Sequence, residues 1–197
     1  MADTGTSTTV STSYITAGND AGNVRVVKQG AVFLYHTGDE SFKAPTGTDW
    51  TPGSAKPIGY FSEDGFTLHP EPGNETEIKG HNGDTVYYDR SGGYWTAQVV
   101  GLECRKTVLE AYFGAAANAS GGFDLSDAAT TTAWEVVVVG MDQNDKPLLI
   151  HLENAVVSDR GDMQGLYTDT LKFDLTFRAR NGSGTHKMVH VYGLSTE

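Results

Sequence analysis

Leu171–Arg180 reads LKFDLTFRAR, and its alternation decides the fold class. Leu171, Phe173, Leu175, Phe177 and Ala179 fall on one face of an extended chain, and Lys172, Asp174, Thr176, Arg178 and Arg180 fall on the other. A period of two is a strand signal, and one apolar face with one polar face is the mark of an antiparallel sheet with a single covered side. The Leu171–Ala179 face is therefore expected to point into a core.

The same grammar extends outward. AWEVVVVGM (133–141) and KPLLIHLENAVV (146–157) flank DQND (142–145) as a hairpin, and HKMVHVYG (186–193) supplies a last strand. Towards the N-terminus, VRVVKQGAVFLYHTG (24–38) is β-branched and aromatic. KPIGYFSEDGFTLHPE (56–71) is expected to hold a short strand, a turn at Asp64–Gly65 and a second strand. ETEIKGHNGDTVYYDRSGGYWTAQVVG (75–101) carries turn signals at Asn82–Gly83 and at Ser91–Gly92–Gly93. One stretch has helical spacing: in LECRKTVLEAYFG (102–114), Cys104, Val108, Ala111 and Tyr112 share a face, and Gly114 is a natural stop. Cys104 is then expected to be a small buried hydrophobe. The sum is an all-β chain with one short helix, a single sandwich or barrel of about eight to ten strands.

Two segments lack either period. DESFKAPTGTDWTPGSAKP (39–57) contains Pro45, Pro52 and Pro57, and AAANASGGFDLSDAATTT (115–132) is Ala-, Ser- and Gly-rich. Loops of this length are commonly functional. Residues 1–23 are mostly Thr, Ser, Gly and Asp, with Tyr14 and Ile15 as the sizeable anchors, and read as a flexible arm. The expected organisation is that arm followed by one domain over 24–197.

Composition excludes several functions. The formal charge of -11 argues against a face that binds phosphate backbones. The lone Cys104 excludes an internal disulfide and a cysteine-based zinc cluster. The first residues lack the basic start and apolar stretch of a secretory leader, so Asn74, Asn118 and Asn181, each opening an Asn-x-Ser/Thr triplet, are not expected to carry glycans. No apolar run approaches membrane-spanning length.

FSEDGFTLHPEPGNETEIKGHNGD (61–84) is dense in carboxylates and imidazoles, yet no register fits a calcium loop. In DQNDKP, Lys146 stands where a third ligand is needed. His186 and His190, four apart on a strand, would lie about 13 Å apart, too far for one ion. No nucleophile elbow, phosphate loop or dinucleotide fingerprint is present. The residues offer no catalytic set, no metal set and no cofactor.

The order of IGYFSEDGFT (58–67), HNGDTV (81–86) and GLECRKTVLEAYFG (101–114), followed by a strand–hairpin–strand C-terminal part, resembles the major tail proteins of long-tailed, non-contractile bacteriophages, of the kind that infects actinobacteria and other Gram-positive hosts. The resemblance spans about residues 24–193 and implies a tail-tube β-domain without the appended immunoglobulin-like domain of some members. It implies a virion protein, assembled in the host cytoplasm, whose six-subunit rings stack into a tube around a tape-measure protein. Tail terminator and distal tail proteins would be its further partners, and DNA would pass through the lumen without specific binding or any membrane contact. On that reading Tyr14, Ile15, Phe42, Trp50, Glu63 and Asp64 are the expected assembly contacts. The tube protein of a contractile, type VI-like machine is one alternative. A carbohydrate-binding sandwich using Tyr60, Tyr94 or Trp95 is another.

Overall fold

A computed structural model describes residues 17–126, 132–181 and 188–194. Tyr14, Ile15 and His186 lie outside the described residues, as does most of the arm. The strands are β1 (Val27–His36), β2 (Phe61–Glu71), β3 (Asn74–Lys79), β4 (Thr85–Ser91), β5 (Tyr94–Gly101), β6 (Ala133–Asp142), β7 (Pro147–Arg160), β8 (Phe173–Arg178) and β9 (Val189–Tyr192). The helix α1 is Lys106–Phe113. The all-β reading with one short helix holds.

Seven strands form one antiparallel sheet in the order β1-β6-β7-β8-β5-β2, with β9 on the edge of β7 that β8 leaves free. The sheet curls until its ends meet. The Ile58 amide donates to the Val32 carbonyl at 2.8 Å, linking the lead-in to β2 with β1. Beside it, Gly30 admits the Phe61 ring: a Cβ there would stand 3.2 Å from Phe61 Cζ. The inner face buries Val32 and Leu34, Ala97 and Val99, Val136 and Val138, Ile150 and Leu152, and Phe173, Leu175 and Phe177. Full burial stabilises by about 1.5–3 kcal/mol per large apolar side chain, so this cluster carries the fold.

The alternation of LKFDLTFRAR is realised over Phe173–Ala179, which are buried at every second position. Leu171 departs from it: it precedes β8 and is 39% exposed, because the ladder with β5 starts at the Phe173–Gly101 pair. Cys104 also departs. It is exposed and lies before the helix, whose N-cap is Arg105. Glu103 fixes that turn by accepting from the Tyr60 amide and Arg105 Nε, so the chain enters the helix one turn later than the spacing suggests. Val108 and Ala111 are the buried helical positions, and Gly114, in the left-handed region, closes the helix with its amide on the Glu110 carbonyl.

Asp64–Gly65 is not a hairpin turn. β2 runs through it as one strand, with the four residues between Phe61 and Phe66 facing the single residue between Gly101 and Val99 on β5. The excess chain bulges outward, and Gly65 at φ 76° takes the conformation a side chain would resist.

β6 and β7 are buried on both faces, which explains their unbroken apolar runs. Their outer cover is the strandless segment 37–60. Phe42, Trp50 and Ala55 pack over Phe33, Tyr35, Val137 and Leu149. Trp50 meets Phe33 edge-on at 5.5 Å, and its indole N–H donates to the Lys43 carbonyl at 2.7 Å. Tyr192 Oη donates to the Pro45 carbonyl, tying the same segment to β9. Trp50 thus folds back onto its own domain.

Candidate assembly surface

β3 and β4 form a separate two-stranded sheet, and all thirteen of their residues are exposed. The hairpin leaves β2 at Glu71 and returns to β5 at Tyr94, closed by Gly80–Asp84, with the Gly80 amide on the Asp84 carbonyl and the Gly83 amide on the Gly80 carbonyl. The Asn82–Gly83 and Ser91–Gly93 turn signals account for both ends. The register pairs Thr76 with Asp89 and Ile78 with Tyr87 on one face, and Glu75 with Arg90 and Glu77 with Tyr88 on the other.

The two faces differ chemically. The Glu75–Arg90 ion pair crosses the second face, and Thr85 Oγ1 donates to Glu77. Arg90, with help from Tyr88, holds the Glu75 carboxyl below its ordinary range. Ile78, Val86, Tyr87 and Tyr88 are 50–66% exposed and meet none of the barrel's buried clusters. An isolated two-stranded hairpin is marginal in water. A hairpin that leaves Ile78, Val86, Tyr87 and Tyr88 this exposed is a candidate contact surface. Neither Ile78 nor Tyr87 was singled out from the sequence. The signal was present in TVYYD beside a tight turn, but exposure on both faces cannot be read from a strand pattern.

The acidic stretch 61–84 resolves into two places. Glu63 and Asp64 sit on the β2 bulge, both exposed, with Ser62 Oγ donating to Asp64 at 2.8 Å. Glu75, Glu77 and Asp84 belong to the hairpin. Phe42 and Trp50, half-buried on the far side of β1 and β6, are not brought together with them. The N-terminal lead is pinned instead to the β6–β7 turn. Gln143 accepts from the Val26 amide and donates to the Val24 carbonyl, and Arg25 pairs with Asp142 at 3.3 Å. The Lys146 amide foremost, then the Asn144 amide and the Arg25 and Lys146 charges, hold the Asp142 carboxyl below its ordinary range against the cost of burial.

The aromatic residues do not form a sugar platform. The Arg178 guanidinium lies 3.7 Å over the Tyr94 ring and occupies its face. Trp95 is the second residue of β5, whereas Tyr60 bonds through its carbonyl to Leu102, just past the end of that strand. The seven residue steps from Trp95 to Leu102 span about 23 Å.

Among solved structures, the chain is similar to one in the cryo-EM structure of the anti-feeding prophage (AFP) baseplate, six-fold symmetrised, at 13% identity and a TM-score of 0.47, covering 86% of this chain and 96% of that chain. It is also similar to a chain of an extracellular contractile injection system, the PVC sheath–tube complex in the extended state, at 11% identity and a TM-score of 0.44, covering 94% of this chain and 99% of that one. No curated protein matches it. The family model described as phage tail tube protein matches residues 17–192, nearly the whole of the curled sheet, its helix and the projecting hairpin, and the chain belongs to that family.

Proposed function

We propose that this tail tube protein forms six-subunit rings that stack into the tube of a long-tailed, non-contractile phage, and that the β3–β4 hairpin makes the contact between subunits. The observation that carries the hairpin's role is its complete exposure together with the Ile78–Tyr87 pair on one face. A ring requires a heterologous contact that closes on itself, and stacking requires a second. Each needs roughly 1,000 Å² of buried surface to be specific. A projecting hairpin reaches a neighbour without disturbing the body that presents it.

The second contact, between rings, falls to Glu63 and Asp64 on the β2 bulge, to the open edges of Phe42 and Trp50, and to the arm with Tyr14 and Ile15. The tape-measure protein fills the lumen during assembly, and the terminator and distal tail proteins cap the tube. DNA leaves through a lumen whose wall is neutral or negative, in keeping with the -11 formal charge, because a basic lining would retard it through phosphate contacts.

Negative-stain microscopy of the purified protein beside Ile78→Asp/Tyr87→Asp tests this reading. The parent chain is expected to grow tubes, and the variant to remain folded by circular dichroism and monomeric by light scattering. Tubes of normal length from the variant would remove the hairpin from the ring contact. Isolation of tails in which a sheath surrounds these tubes would reassign the chain to a contractile machine.

A further inference from the structure

On the outer face of the sheet, at the seam between β7 and β9, His151, Glu153 and His190 bring one potential ligand atom each within 4.8 Å of one another. The β7–β9 register creates this group by pairing His151 with His190, and Glu153 lies two residues along the same face. The rings stack at 5.7 Å with planes 20° apart. His190 Nε2 and Glu153 Oε1 are 2.9 Å apart.

The arrangement behind His151 points to an ion. Its Nε2 lies 2.9 Å from Glu135 Oε2, on β6. The other oxygen of Glu135 already accepts from Thr37 Oγ1 at 3.2 Å and from the Asn154 amide at 3.3 Å, so this carboxylate is an acceptor. An acceptor at Nε2 places the proton on that nitrogen and leaves a lone pair on Nδ1. His151 is 1% exposed, and its buried Nδ1 has no hydrogen-bond partner among the described residues. A bare, buried acceptor is costly. A carboxylate fixing the tautomer of a histidine whose other nitrogen is free is the support that metal-ligating histidines use.

We propose that His151 Nδ1, Glu153 and His190 form a site for a divalent transition-metal ion of the zinc class, with Glu135 as the positioning residue. The donor set of two imidazoles and one carboxylate suits zinc and leaves a fourth position for water. An open pocket of about 570 Å³, lined in part by Glu135, His151, Glu153 and Asn154, provides the entry path. Bonds of about 2.0–2.1 Å in a tetrahedron require ligand atoms about 3.4 Å apart, so when the ion enters the more distant ligand atoms close by roughly an ångström, while His190 Nε2 and Glu153 Oε1 open slightly from 2.9 Å. The ion staples β9 to β7. The staple is independent of how subunits contact one another through the hairpin.

The test uses the untagged full chain and Co²⁺ as a visible probe. One equivalent is expected to give the intense visible bands of four-coordinate Co²⁺, displaced by Zn²⁺, and Zn²⁺ is expected to raise the melting temperature. Glu153→Gln and His190→Gln should each abolish the bands and the melting shift at one equivalent. Glu135→Gln should keep the ligands but weaken affinity about 10–100-fold. Circular dichroism confirms that each variant is folded, and Glu153→Gln stands in should His190→Gln fail to fold. Absence of visible bands in the parent chain, or bands that persist in both ligand variants, would overturn the site and leave two hydrogen-bonded His–Glu pairs of purely structural use.

Discussion

The chain contains two long antiparallel hairpins made by the same local rules, with opposite fates. β6–β7 turns at Asp142–Lys146 and is buried on both faces, one inside the barrel and one beneath the 37–60 segment. β3–β4 turns at Gly80–Asp84 and is buried on neither. Strand propensity and turn chemistry make a hairpin in either case, and what surrounds it decides its use. The first is the fold's central support. The second contributes nothing to the subunit's core and is free to serve an assembly.

The sharpest way to break this contrast is to cut into the barrel. Phe177→Ala removes a fully buried ring from its inner face and is expected to cost about 3–5 kcal/mol, read as a lower urea midpoint or as insoluble protein. A stable, soluble variant would mean the interior is loosely filled. Trp50→Ala strips the outer cover of β1 and β6. Because Trp50 is only half-buried, a loss of about 1–3 kcal/mol is expected, with faster proteolysis within 39–57 while the barrel persists.

A smaller effect concerns the turn of the buried hairpin. The Asp142 carboxyl is held below its ordinary value in the folded chain, so the stability it contributes is present above the unfolded value near 4 and is lost as pH falls through the folded one. Asp142→Asn is expected to flatten the acid limb of a melting-temperature profile below about pH 4. An unchanged acid limb would show that other carboxylates govern it. Least of all, Ile78→Ser/Tyr87→Ser should change subunit stability by no more than about 0.5 kcal/mol, since both side chains are surface groups of the monomer. A large loss from that pair would erase the distinction between the two hairpins.

Legibility in the sequence followed burial. Phe173, Leu175 and Phe177 announced their strand because one face of it meets solvent, and alternation records that asymmetry. The unbroken apolar runs of β6 and β7 marked strands covered twice, but not what covered them. Trp50 stands in a strandless segment of the sequence, and its partners Phe33 and Tyr35 lie more than ten residues away. The β2 bulge was read as a turn because Asp-Gly serves both, and only the ladder with β5 separates them. Of the hairpin, the turns were legible and the exposure was not. The His151–His190 pair was hidden for the same reason, since a cross-strand register has no trace in local spacing.

The pairing of β1 with β6 joins Val27 to Asp142, whereas β3 and β4 meet across a few residues. Closing a long loop must precede any reward from the contacts it brings, so sheets of this kind fold in milliseconds to seconds. A hairpin closes in about 1–10 μs. In a newly made chain the two strands of the projecting element can therefore meet long before the body that carries it has shut, although the pair is marginal on its own. Growth of a polymer from half-folded subunits is avoided only if the contact needs both the hairpin and a finished neighbour. Under the proposed ring contact, the slow closure of the body would then act as a clock, admitting only chains whose first strand has found its distant partner.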